Sequence, residues 1–297
     1  VSSRLPPVRL ARRARPLLFA VALAWTACAA FAQAPTRAIA VGGALTEIVY
    51  ALGAQDRLVA VDTTSTHPVA ASRLPKVGYQ RQLSAEGLIA MRPSVVLATS
   101  EAGPPAVIAQ VRNAGVRFET VGADHTFEEV RNKIRMVAEA MSLKAEGARL
   151  DETLVRDWKA TREFVAAQER REARKPRVLF LLLHSASGGL MASGEGTAAD
   201  ALIRYAGALN AVSGYKGYKT LADEALIAAA PDFILLTREG LEAVGGVEKL
   251  LARPGLAGSP AARNRRFAAP DALYLLGFGP RLPQAVREVA EKVREGA

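Results

Sequence analysis

The stretch from residue 83 to residue 99 returns later in the chain, and this internal repeat constrains the fold more than any single motif does. Leu83-Ser84-Ala85-Glu86-Gly87-Leu88-Ile89-Ala90-Met91-Arg92-Pro93-Ser94-Val95-Val96-Leu97-Ala98-Thr99 aligns with Leu221-Ala222-Asp223-Glu224-Ala225-Leu226-Ile227-Ala228-Ala229-Ala230-Pro231-Asp232-Phe233-Ile234-Leu235-Leu236-Thr237, which sets Glu86 and Glu224 138 residues apart. Each copy reads as a short helix, a proline, and then an apolar strand. Self-similarity at this spacing predicts two related lobes. The interface between such lobes is a preferred place for a ligand.

The rest of the chain fits this layout. Residues 38–41 read as a strand, Gly42-Gly43 as a turn, 45–52 as a helix and 58–61 as a strand, after which helices at 83–91 and 106–114 alternate with strands at 95–98 and 116–118. That alternation predicts a mostly parallel sheet covered by helices. Residues 126–141 and about 145–174 read as two helices, the second with Leu150, Leu154, Val155, Trp158 and Val165 roughly on one face and no internal proline. At 1.5 Å per residue the second would reach about 45 Å and act as a stiff strut. Its charged end, with Arg170, Arg171, Glu172 and Arg174, reads as a solvated face. A second β/α series follows at 178–183, 197–206 and 233–236. The expectation is an α/β fold of two Rossmann-like lobes, 33–143 and 176–297, joined by a single long helix over 144–175, with the ligand cleft between the lobes.

The amino-terminal residues point to export. Arg4, Arg9, Arg12, Arg13 and Arg15 precede an uncharged, mostly apolar run over 17–32, the layout of a signal peptide. Sixteen residues fall short of the about 20 that a membrane span needs. Small residues at Ala30 and Ala32 place the cut before Gln33, since a later one after Ala34 would leave Pro35 first. The only cysteine, Cys28, could instead mark a lipidated start, but Trp25 stands where a lipobox carries an aliphatic residue. Without Cys28 the mature chain has no thiol, which excludes disulfides, thiolate metal sites and cysteine catalysis. Loss of five arginines and no acids lowers the formal net charge from +10 to +5. No Lys/Arg run interleaved with aromatics is present, so nucleic acid is not an expected partner.

Catalytic signatures are equally missing. The sequence contains no Gly-x-Ser-x-Gly, Gly-x-x-x-x-Gly-Lys, Gly-x-Gly-x-x-Gly or His-Glu-x-x-His. A secreted hydrolase built on His184 and Ser185 would need an orienting acid and an oxyanion hole that no motif supplies. The chain is expected not to be an enzyme.

From about Arg37 to Val293 the chain resembles the periplasmic binding proteins of ATP-driven importers that have a rigid inter-lobe helix and carry cobalamin, ferric siderophores or haem. Three stretches look like the haem branch: Val77-Gly78-Tyr79-Gln80-Arg81-Gln82-Leu83-Ser84-Ala85-Glu86-Gly87, Gly196-Thr197-Ala198-Ala199-Asp200-Ala201-Leu202-Ile203, and Leu276-Gly277-Phe278-Gly279-Pro280-Arg281. Ser94 departs from the usual Pro-Asp, which the second copy keeps as Pro231-Asp232.

The resemblance implies a periplasmic, monomeric protein that carries ferric haem b as transported ligand, with no catalytic cofactor, to the permease subunits of an importer. A ferric siderophore or cobalamin is the alternative cargo. By spacing alone Tyr79 reads as a surface-loop tyrosine and Arg81 as a solvated charge. The full motif implies instead that Tyr79 is the axial iron ligand, supported by Arg81. A phenolate is a hard anionic donor suited to ferric iron, and a cation two residues away helps hold it. Arg238, just after the second copy, is the candidate for a haem propionate or else a structural ion-pair partner, and Arg73 and Lys76 are weaker candidates. His184 is a possible second axial ligand or a structural residue. His67 and His125 read as structural, and Met191 as packing. Glu86 and Glu224 are implied to dock on arginines of the two permease subunits. A continuous inter-lobe helix implies that the lobes close only slightly on the ligand.

Overall fold

The computed structural model describes residues 2–3, 36–183 and 190–295. The proposed leader, with Cys28 and the cleavage site at Ala32, and the segment carrying His184 lie outside the described residues.

The first lobe is built on a parallel sheet in the order β2-β1-β3-β4, from β1 (Ala38–Val41), β2 (Leu58–Val61), β3 (Val95–Thr99) and β4 (Arg117–Val121). Helices α1 (Gly43–Ala51), α2 (Ala85–Ala90), α3 (Pro105–Asn113) and α4 (Phe127–Ala140) connect and cover it. All five residues of β3 are buried, as a central parallel strand with both faces covered requires.

Helix α5 (Lys144–Glu169) runs for 26 residues, about 39 Å at 1.5 Å per residue. It stops short of the expected end at 174. Arg174 leaves the helix to grip Asp232 through two bonds of 2.6 and 2.8 Å, and the residue before Pro176 is disfavoured in helical conformation. The buried stripe is Gly147, Leu154, Thr161 and Val165. Val155 was expected on this stripe but is exposed. A Cβ on Gly147 would stand 2.4 Å from that of Ala138, so the glycine lets α5 lie against α4.

The second lobe has β5 (Arg177–Leu182), β6 (Met191–Ser193), β7 (Leu209–Asn210), β8 (Tyr218–Thr220), β9 (Phe233–Leu236) and β10 (Phe267–Ala268), in the order β10-β9-β5-β6-β8 with β7 beside β5. Strands β9 and β10 are parallel to β5, but β6 and β8 are antiparallel additions. The sheet is mostly parallel, as expected, with an antiparallel extension on that side. Only eight residues separate β5 from β6, too few for the crossover a parallel neighbour needs. Its helices are α6 (Ala198–Tyr205), α7 (Asp223–Ala229), α8 (Arg238–Val244), α9 (Val247–Leu251), α10 (Pro254–Ala257), α11 (Pro260–Arg263), α12 (Ala272–Leu276) and α13 (Leu282–Lys292).

Strand periodicity assigns each sheet two faces. Ala38, Ala40, Val95 and Leu97 of the first sheet share one continuous core with Val178, Phe180, Phe233 and Leu235 of the second, through Leu154 and Val165 of α5. The alternate residues form separate outer clusters, Ile39, Val41, Val96 and Ala98 in one lobe and Leu179, Leu181, Ile234 and Leu236 in the other. Lobes that share a core cannot part widely without exposing apolar surface to water.

Polar and aromatic contacts close the same seam. Trp158 of α5 stacks on Phe127 at 4.8 Å and meets Tyr205 edge-on at 4.9 Å, and the Phe127 N–H donates to the Tyr205 hydroxyl at 3.2 Å. Lys133 is buried, pairs with Glu129 at 2.5 Å, and donates to the carbonyls of Gly277 and Phe278 at 3.2 and 3.0 Å. Arg281 clamps Glu47 through two bonds of 2.8 and 2.6 Å.

Candidate functional site

The loop bearing Tyr79 is fastened at the C-terminal ends of β1, β2 and β3, the edge where α/β sheets receive ligands. The Val77 N–H donates to Val61 O at 3.0 Å, and the Thr63 N–H donates to Gly78 O at 2.9 Å. Gly78 sits at φ +97°, a left-handed conformation that suits glycine. A turn closes from the Gln82 N–H to Tyr79 O at 2.8 Å, and the Gly103 N–H donates to Gln80 O at 2.9 Å. With its backbone fixed in this way, Tyr79 is 38% exposed.

The Arg81 Nη1 donates to the Tyr79 hydroxyl at 3.1 Å, and Arg81 also pairs with Glu101. Burial works against the Arg81 charge, but the Glu101 and Tyr79 oxygens hold its guanidinium above the usual range. The Arg81 guanidinium thus stands directly against the Tyr79 hydroxyl oxygen. No motif in the sequence marks Glu101, which is 20 residues from Arg81. It holds Arg81 in position from the loop after β3.

A second tyrosine comes from the other lobe. Burial pushes the Tyr218 phenol up to about 12, with Thr197 and Arg81 pulling it down and Glu101 adding to the rise. Tyr218 stands on β8 of the second lobe. Tyr218 packs edge-on against Phe180 at 6.5 Å. The signal for it in the sequence is the tandem Gly214-Tyr215-Lys216-Gly217-Tyr218-Lys219.

Arg238 opens α8 at the C-terminal end of β9, where its Nη2 donates to Asp271 Oδ2 at 3.0 Å. It is both at the expected strand end and an ion-pair partner. The Lys76 Nζ donates to the carbonyls of Ser65 and Ala71 at 3.2 and 3.3 Å, and burial lowers its pKa against the pull of Asp62. Arg73 is exposed at the end of a 3-10 turn. His125 packs against Phe278 at 5.4 Å and its N–H donates to Glu129, while His67 is exposed. Met191 opens β6 beside Leu182. Glu86 and Glu224 are exposed in the first turns of α2 and α7. His184 lies outside the described residues.

Residues 39–272 match the family described as periplasmic binding protein. The chain belongs to that family. Among solved structures, the periplasmic haem-binding protein BhuT in complex with two haems is 52% identical, with a TM-score of 0.84 over 88% of this chain and 99% of that one. The periplasmic haem-binding protein RhuT from Roseiflexus sp. RS-1, in apo form, is 40% identical, with a TM-score of 0.82 over 88% of this chain and 99% of that one. An uncharacterized ABC transporter substrate-binding lipoprotein, YvrC of Bacillus subtilis, is 29% identical over 261 residues, 87% of this chain and 80% of the relative. These relatives are solute-binding proteins, and the family works outside the cytoplasmic membrane.

Proposed function

We propose that this periplasmic binding protein captures ferric haem and delivers it to an ATP-driven importer in the inner membrane. The single observation that carries the cargo is the Arg81 to Tyr79 hydrogen bond at 3.1 Å, in a chain 52% identical to a haem-binding protein. Tyr79 supplies the axial phenolate to ferric iron, and Arg81, braced by Glu101, stabilises it. Tyr218, on β8 of the second lobe, is the candidate hydroxyl donor to the ligand. Arg238 commits Nη2 to Asp271 and offers the rest of its fork to a propionate. His184 is the candidate for a ligand from the second lobe. Glu86 and Glu224 dock on the permease subunits, and the chain acts as a monomer after removal of its leader at Ala32.

Titration of the purified protein with haemin tests this reading. A saturable Soret shift with a ferric-phenolate charge-transfer band is expected, with no competition from cobalamin or a ferric siderophore. Saturable binding of either competitor with no Soret response to haemin would replace haem by that cargo.

A further inference from the structure

The internal repeat marks a second pair of residues beside the two glutamates. Ile89 on α2 and Ile227 on α7 are, like Glu86 and Glu224, 138 residues apart. The helices bury equivalent leucines, Leu88 and Leu226, and leave these isoleucines 36% and 60% exposed. Single exposed apolar residues are ordinary on a protein surface. Their placement here is not. Six large apolar or aromatic side chains are exposed among the described residues, and Ile89 and Ile227 are the two that the repeat relates to each other. Each also follows an exposed glutamate by three residues, the spacing that sets both side chains on one helix face.

We propose that Glu86 with Ile89, and Glu224 with Ile227, form the two halves of one composite docking surface. Its partner is the pair of membrane subunits of the importer, each presenting a cation beside an apolar pocket. A surface duplicated across two lobes fits a partner that is itself two-fold. The acids require cations opposite them. A second copy of this chain would set glutamate against glutamate, so self-association through this face is disfavoured. The glutamates steer the encounter and are screened by salt, whereas the isoleucines hold the complex by apolar burial. The surface rests on the delivery role proposed above and assigns it a recognition element besides charge.

The test uses the full-length mature protein and the importer reconstituted in lipid nanodiscs, with haemin titration, importer binding at low and high salt, and ATPase stimulation as readouts. Ile89→Ser and Ile227→Ser are each expected to weaken importer binding about tenfold or more. The double variant should lose most ATPase stimulation, with haem affinity and thermal midpoint unchanged. The salt dependence of importer binding should persist in the isoleucine variants and diminish in Glu86→Gln with Glu224→Gln. Wild-type importer binding by the double isoleucine variant overturns the proposal, as does an effect confined to one isoleucine. If the wild-type protein takes up no haem while the isoleucine variants still lose importer binding, the cargo reading fails and the docking surface stands. A wild-type protein that does not bind the importer overturns both.

Discussion

Replacing Lys133 by methionine tests how firmly the two lobes are held. Lys133 is 2% exposed, and its ammonium lies 2.5 Å from Glu129 and donates to two carbonyls just past the end of α12, at 3.2 and 3.0 Å. The variant leaves the buried Glu129 carboxyl without its counter-charge and two backbone acceptors without a donor. Removing one partner of a buried pair costs about 3–5 kcal/mol, a large part of the roughly 5–15 kcal/mol that holds a domain folded. With a urea slope of roughly 3 kcal/mol/M, the midpoint should fall by about 1–1.7 M. Replacing both members, Lys133→Met with Glu129→Leu, removes the orphaned charge but not the orphaned carbonyls. It should recover part of the loss and leave about 1–3 kcal/mol. Urea unfolding of the wild type, both single variants and the double variant supplies the full cycle. A Lys133→Met cost below about 1 kcal/mol, the net worth of an ordinary hydrogen bond, would refute the claim that this lysine pins the lobes together.

Gly43→Ala should destabilise by about 1–3 kcal/mol, because the added Cβ would meet Leu273 of the other lobe at 2.5 Å and the Thr64 carbonyl oxygen at 2.7 Å; a thermal midpoint within error of wild type contradicts this. Asp232 is held below the usual carboxylate range, chiefly by its Arg174 hydrogen bonds against the opposing effect of burial. Its stabilising contribution is therefore present above the unfolded value near 3.9 and lost as pH falls through the folded value. Arg174→Ala should raise the Asp232 pKa in an NMR titration and reduce stability above that window, with the difference vanishing in stronger acid. Arg81→Ala should weaken haem binding by about 10–100-fold, as loss of a group supporting a metal ligand does, with the phenolate band weakened.

The parts of the fold legible in the sequence were those whose signal is local. Strands β3 and β9 are buried on both faces and read as unbroken apolar runs, Val95-Val96-Leu97-Ala98 and Phe233-Ile234-Leu235-Leu236. Strands β6, β8 and β10 hold two or three residues each, too few to show a period. The helices α9 to α11, four or five residues each, are likewise shorter than two turns. At the site, Tyr79 and Arg81 are two residues apart and could be read together. Glu101 reaches Arg81 from twenty residues away, Arg281 reaches Glu47 across 234, and Lys133 meets Phe278 across 145. Such pairings exist only once the chain is folded.

The central claim is that Tyr79 binds the iron of a transported haem, and the visible spectrum of Tyr79→Phe saturated with haemin tests it most directly. The substitution keeps the ring and removes only the oxygen. Loss of the ferric-phenolate charge-transfer band with a displaced Soret maximum, and retention of both features in Tyr218→Phe, are the predicted results. A Tyr79→Phe spectrum superimposable on the wild type would contradict the account and take Tyr79 out of the site.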